Sequence, residues 1–147
     1  MTEMSVLTRA IARLLLPATI MVALAVLIKG YADTGDGFSA GLIASLGVLV
    51  QYVAFGPALP GQMAIVRHAN SLSRIGLLLA LTVAFLPVLF GKPELTHWPG
   101  PGESVRHLGA LEFITPVLFD IGVFMLVIGF VVGVIDLIAQ TIERQSS

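Results

Sequence analysis

Residues 114–138 read ITPVLFDIGVFMLVIGFVVGVIDLI, an almost unbroken apolar run. A helix of about 20 apolar residues matches the roughly 30 Å hydrocarbon core of a bilayer, so this run predicts a transmembrane helix. Asp120 places a carboxylate inside it. An ionised group there costs about 2.5–3.5 kcal/mol on insertion scales, and such groups face a protein interior, a neighbouring protein or a water-filled pathway. Asp120 is therefore the leading candidate for an ion pathway or a subunit contact.

The composition excludes several functional classes. The 147 residues are 56% hydrophobic and 12% charged, whereas soluble domains carry about 25% charged residues. The formal net charge of −1 gives no indication of a nucleic-acid partner. The absence of cysteine excludes disulfides and thiolate metal sites. No phosphate loop, dinucleotide fingerprint, metal-binding helix or nucleophile triad occurs, so we predict no metal, no cofactor and no enzymatic activity.

The apolar runs predict an all-α integral membrane protein with four transmembrane helices in a single domain, residues 1–147. The predicted spans are residues 14–28, 38–55, 75–90 and 114–138. Basic residues in short loops indicate the cytoplasmic side of a membrane protein. Five of them fall on the side of the termini and three on the other side: Arg9, Arg13, Arg67, Arg74 and Arg144 against Lys29, Lys92 and Arg106. This bias predicts that both termini are cytoplasmic.

The loop before the second span is rich in glycine and acidic residues, which favours a tight turn into the next helix. Asp33, Thr34 or Asp36 is expected to cap that helix. The alternative is that Asp33 or Asp36 guards an ion entrance. Small residues that recur every four positions then let another helix approach closely. The predicted packing positions of this span are Gly37, Phe38, Gly41 and Ser45.

The fourth span carries a second pair of small residues, Gly129 and Gly133, which predicts another packing face. Asp120 precedes Gly129 by nine residues, about 2.5 turns at 3.6 residues per turn, so the two lie on opposite faces. If the glycine face packs on a helix, Asp120 points toward a partner or a pathway. Pro116, one turn earlier, is expected to loosen the helix beside Asp120. A structural carboxylate, paired with another chain or bonded to backbone, remains the alternative.

Asp136 lies 16 residues beyond Asp120, about 24 Å along the helix. This distance places Asp136 near the opposite membrane face. It is therefore expected to be a solvated carboxylate at the end of the helix.

Residues 30–56, GYADTGDGFSAGLIASLGVLVQYVAFG, resemble a segment of the MrpB/MnhB-like subunit of the multisubunit Mrp-type sodium/proton antiporters. The matching positions are Gly30, Gly35, Gly37, Phe38, Gly41, Leu42, Gln51 and Tyr52. A second family signature, Thr-Pro-x-x-Phe-Asp-x-Gly, is matched by Thr115, Pro116, Phe119, Asp120 and Gly122. The chain departs from the family pattern at Tyr31, Thr34 and Asp36, where the family carries histidine, proline and glycine.

The resemblance implies an accessory subunit without a catalytic site, in the cytoplasmic membrane of a bacterium. Its partners would be two large antiporter-like subunits, small companion subunits and the lipid bilayer. The complex would exchange sodium for protons, and Asp120, with Thr115 and Pro116, would border the ion path or contact another subunit. One alternative is a structural membrane-arm subunit of a respiratory or hydrogenase-type complex. Another is an autonomous small transporter, but the first span lacks the membrane-embedded acid that compact exporters use.

Overall fold

Four long helices form the structure, a computed structural model that describes residues 6–30, 35–58, 60–89, 107–108, 111–112 and 115–145. They are α1 (Val6–Lys29), α2 (Asp36–Phe55), α4 (Ala69–Leu89) and α5 (Thr115–Gln145). Each is long and apolar enough to cross a membrane, which confirms the predicted all-α, four-span class. The 20 residues of α2 span about 30 Å, and the 31 residues of α5 span about 46 Å. The length of α5 therefore exceeds the hydrocarbon thickness.

Short elements lie in two of the connections between the long helices. A 3₁₀ turn at Pro60–Gln62 and the single-turn helix α3 (Ala64–Arg67) connect α2 to α4. Between α4 and α5, β1 (His107–Leu108) and β2 (Leu111–Glu112) pair antiparallel, with His107 opposite Glu112. Two residues per strand do not change the all-α class.

Two of the helices begin well before their predicted spans. α1 starts at Val6 instead of residue 14, and α4 starts at Ala69 instead of residue 75. Arginine is a good helix former, and its long side chain carries the charge toward water while the backbone stays helical. Arg74 therefore lies inside α4 and not in the loop before it. Hydropathy predicted the apolar part of each of these helices. The hydrogen-bonded helical backbone continues beyond that part.

The long helices pack in the order α1, α2, α5, α4, so that α2 and α5 are the inner pair. Half of the apolar window of α2 is buried, against 11% for α1 and for α4. Small side chains dominate the core, which lets the helix backbones approach closely. The buried cluster consists of Ala23, Ala44, Val48, Tyr52, Val66, Ala69, Ile128 and Val132. The outer faces of α1 and α4 remain available to lipid or to other chains.

Candidate functional site

Asp120 lies on the face of α5 that packs against the beginning of α2. Its residue surface is 4% exposed. Its Oδ2 atom accepts a hydrogen bond from the backbone N–H of Gly35 at 2.9 Å. The side chain is therefore directed at another helix of the same chain.

The backbone of Gly35 explains why a carboxylate can sit there. Gly35 is the N-cap of α2, with φ 115° and ψ 2°, a left-handed conformation that glycine adopts readily, and no side chain caps the helix. The first N–H groups of a helix lack intrahelical partners and carry partial positive charge. Asp120 supplies an acceptor for the N–H of the cap residue itself.

The described residues show no side-chain capping hydrogen bond at the start of α2, and the acceptor for the N–H of Gly35 belongs to α5. Asp36 is the first residue of α2, after the cap position, and makes no capping hydrogen bond. Asp33 and Thr34 lie outside the described residues. The sequence alone did not suggest this outcome, because the acceptor comes from a residue 85 positions away.

Asp36 brings a second carboxylate to the same end of the bundle. Its Oδ2 lies 3.8 Å from the Nζ atom of Lys29, which is the last residue of α1. That oxygen is enclosed and has no hydrogen-bond donor within the part of the chain that the structure describes. The side chain of Lys29 is 68% exposed, and exposed ion pairs contribute at most about 1 kcal/mol. Lys29 therefore neutralises Asp36 only weakly.

Gly30 holds the end of α1 close to both carboxylates. A methyl group at Gly30 would lie 3.1 Å from Oδ2 of Asp120 and 3.1 Å from Cβ of Asp36. The end of α1, the start of α2 and the first turns of α5 thus converge at one point. Among the described residues, no group of three or more His, Cys, Asp or Glu side chains is arranged to hold a metal ion. What converges here is a pair of carboxylates with one lysine and a helix N-terminus.

Thr115 and Pro116 form the beginning of α5 and do not interrupt it. The expectation that Pro116 loosens the helix beside Asp120 is wrong. A proline in the first turn removes no intrahelical hydrogen bond, because the N–H groups of that turn have no helical acceptor. Pro116 is buried and starts the helix that carries Asp120.

The small residues of α2 form the seam with α5. A methyl group at Gly37 would collide with the main-chain carbonyl of Asp120, and one at Gly41 would lie 2.9 Å from Cβ of Val127. Ser45 is fully buried and donates its hydroxyl to the carbonyl of Gly41 at 2.7 Å. Phe38 differs from its expected packing role, because it is 56% exposed.

The opposite face of α5 packs against α4, as the spacing between Asp120 and Gly129 predicted. A methyl group at Gly129 would lie 2.6 Å from the carbonyl of Ala69. Gly133 is less tightly packed, with Oδ1 of Asn70 at 3.3 Å from the corresponding position. The sequence reading missed Gly76 and Gly122, which complete this seam. Gly122 precedes Gly129 by seven residues, about two helical turns, and this spacing places both on the face of α5 toward α4.

Two further polar contacts join the helices at the other end. The side chain of Gln51, 2% exposed, donates to the carbonyl of Ala12 at 2.7 Å and ties α2 to α1. The hydroxyl of Tyr52 donates to Oδ1 of Asp136 at 2.6 Å. Oδ2 of Asp136 accepts from Gln140 at 2.8 Å. Asp136, expected to be a solvated helix-end carboxylate, is instead an acceptor between α2 and α5.

Known proteins match this chain over most of its length, including the residues around Asp120. Residues 7–133 match the family model described as a domain related to the MnhB subunit of Na⁺/H⁺ antiporter. The B subunit of the Na⁺/H⁺ antiporter of Bacillus subtilis is 31% identical over 118 residues, which cover 77% of this chain and 78% of that protein. A putative antiporter subunit mnhB2 of Staphylococcus aureus is 29% identical over 139 residues, 91% of this chain and 94% of that one.

A third relative is much longer. The probable K⁺/H⁺ antiporter A/B subunit of Rhizobium meliloti is 31% identical over 134 residues, 91% of this chain but only 13% of that protein. This chain therefore corresponds to a small part of the A/B protein. The matched segment covers more than three-quarters of the shorter B subunits of the Na⁺/H⁺ antiporters.

Proposed function

We propose that this chain, which belongs to the family of domains related to the MnhB subunit of Na⁺/H⁺ antiporters, is an accessory subunit of a multisubunit antiporter in the bacterial cytoplasmic membrane. The observation that carries the proposal is the family match over residues 7–133, which includes both sequence signatures and α1 through most of α5. The exchange proposed is sodium against protons. Since one relative is named for potassium, the cation is part of the test.

The shape of the chain supports a subunit that works with others. α1 and α4 lie at the two ends of the helix row and bury only 11% of their apolar windows. Two large antiporter-like subunits and small companions are the partners we propose for these faces. The test is affinity purification of the tagged chain from native membranes in mild detergent, followed by mass spectrometry. Antiporter-like subunits are the expected companions, whereas subunits with nickel–iron or iron–sulfur clusters would move the chain to a redox complex.

For Asp120 we propose a place beside the cation path or against a neighbouring subunit. Its burial within an apolar helix and the nearby carboxylate of Asp36 support this role. Asp120→Asn keeps the shape and an oxygen acceptor for the N–H of Gly35 but removes the charge. Cation-dependent antiport in everted vesicles, measured with sodium and with potassium, is expected to fall severalfold while the complex still assembles.

Asp136→Asn is the matched control. It replaces another carboxylate of α5 by an amide, at a site that contacts the opposite end of α2. Its antiport activity is expected to stay near that of the unmodified complex. Full activity of Asp120→Asn in an assembled complex would contradict a role on the path. Loss of companion subunits from that variant would assign Asp120 to a subunit contact.

We also propose that both termini are cytoplasmic, on the strength of the five basic residues near the end where α1 begins and α5 ends. The chain contains no cysteine, so a single Gln145→Cys variant can be labelled without background. A membrane-impermeant maleimide is expected to label it in everted vesicles and not in intact cells. Labelling in intact cells would reverse the orientation.

A further inference from the structure

An open groove lies between the first turns of α4 and the second half of α5. It forms because α4 begins at Ala69, beside Gly133, whereas α5 continues to Gln145. Its volume is about 550 Å³. One wall is polar and comes from α4, and the other is mainly apolar and comes from α5: Asn70, Ser73 and Arg74 face Phe130, Gly133, Val134 and Leu137.

Arg74 gives this groove a cation with unused donors. Its Nε donates to the carbonyl of Asn70 at 3.1 Å, and one terminal nitrogen reaches the hydroxyl of Ser71 at 3.5 Å. A guanidinium carries five N–H donors, so most of them remain available. Within the described residues, no carboxylate lies at ion-pair distance from Arg74. Within the described part of the chain, the side chains of Asn70 and Ser73 also make no hydrogen bond, so three polar groups line the groove together.

The opposite wall fits a hydrocarbon chain. Phe130, Val134 and Leu137 follow one another along a single face of α5, at spacings of four and three residues. They are 62%, 39% and 66% exposed. A polar wall that donates hydrogen bonds and carries positive charge thus stands opposite an apolar wall. A ligand that combines an anionic head with an acyl chain matches both walls.

The position of the groove indicates which lipid meets it. It lies on the side of the bundle where α1 begins and α5 ends. This is the side of the five arginines, which we propose to be cytoplasmic. The cytoplasmic leaflet carries anionic lipids, and basic pockets between transmembrane helices on that side bind their headgroups. We propose that the groove binds an anionic phospholipid of this leaflet, with its phosphate on Arg74 and an acyl chain along Phe130, Val134 and Leu137.

The test uses the purified complex in phosphatidylethanolamine vesicles with a minor fraction of photoreactive lipid. Phosphatidylglycerol and phosphatidylcholine, each with a diazirine on an acyl chain, serve as the anionic and zwitterionic probes. After irradiation, labelled peptides are mapped by mass spectrometry. Labelling of the segment from Phe130 to Leu137 is expected to be about fivefold stronger with the anionic probe, and Arg74→Gln is expected to remove that preference. Arg74→Lys is expected to retain most of it.

Arg9→Gln is the matched control, because Arg9 lies on α1 near the same end and does not line the groove. Its labelling pattern is expected to stay unchanged. Equal labelling by both probes, or an anionic preference that survives Arg74→Gln, would overturn the proposal. The lipid beside this segment would then be ordinary boundary lipid. Labelling elsewhere on the chain but not in this segment would also overturn it. These readouts do not depend on transport, so they stand or fall independently of the antiporter role.

Discussion

The Oδ2 atom of Asp120 accepts a hydrogen bond from the backbone N–H of Gly35 at 2.9 Å and so joins the start of α2 to the first turns of α5. This contact gives a buried carboxylate two forms of compensation. One is the charge-assisted hydrogen bond, and the other is the positive end of the α2 dipole, which contributes about 0.3–1 kcal/mol at exposed sites and up to about 2 kcal/mol when partly buried. The carboxylate is therefore stabilised within its own chain.

Gly35→Ala tests whether the backbone of the cap positions Asp120. No atom lies within 4 Å of a methyl group at Gly35, so any effect arises from the left-handed backbone. That conformation costs a non-glycine residue about 1–2 kcal/mol. We expect lower thermal stability of the purified complex, measured by circular dichroism, together with reduced antiport.

Gly56→Ala is the control for Gly35→Ala. Gly56 has φ 70°, is equally free of neighbours and caps the other end of α2. It is expected to lower stability by a similar amount without the additional loss of antiport. If the two variants lose the same activity at the same stability, the contact between Gly35 and Asp120 has no special role in transport.

Gly37→Ala is expected to destabilise the seam between α2 and α5, because its methyl group would collide with the main chain of Asp120. Backbone cannot move aside as a side chain can, and such overpacking costs about 1–3 kcal/mol. The readout is the melting temperature of the complex and the fraction of companion subunits retained. Gly61→Ala is the control, since nothing lies within 4 Å of its added methyl group. Equal melting temperatures for both variants would contradict the close approach.

The sequence predicted the number and type of the main helices because each requires only a local property, a long apolar run. It was also predictable that Asp120 and Gly129 lie on opposite faces of α5, since the spacing between two residues determines their relative direction on a helix. The starts of α1 and α4 were not, because Arg9, Arg13 and Arg74 read as flanks although the backbone remains helical through them.

The partner of Asp120 was beyond local reasoning. Its donor is a backbone N–H, which every residue but proline possesses, so no side-chain pattern identifies it. The same holds for Gln51, whose acceptor is the carbonyl of Ala12. The resemblance to a family pointed to Gln51 and Tyr52 as positions of interest. Only the packing of α2 between α1 and α5 shows what they contact.

Gly129→Ala and Gly133→Ala form an internal comparison on the face of α5 toward α4. Gly129 is enclosed by the backbone of Ala69 and Ser73, whereas the nearest neighbour of Gly133 is a side-chain atom at 3.3 Å. We expect Gly129→Ala to cost about 1–3 kcal/mol and Gly133→Ala to stay within about 0.5 kcal/mol of the unmodified protein. Thermal unfolding of the two purified variants measures the difference. The reverse order would mean that α4 and α5 are packed in another register.

Tyr52→Phe removes the hydroxyl that donates to Asp136 and leaves the aromatic ring in the core. Interhelical hydrogen bonds in membrane proteins average about 0.6 kcal/mol and reach about 1.7 kcal/mol in double-mutant cycles. A cycle of Tyr52→Phe, Asp136→Ala and the double variant is expected to give a coupling energy in that range, from thermal unfolding in detergent. Because Gln140 still donates to Asp136 in the Tyr52→Phe variant, the single change should be mild. A coupling energy near zero would mean that Tyr52 contributes through its ring alone, and α2 and α5 would then be held together by their small-residue seam.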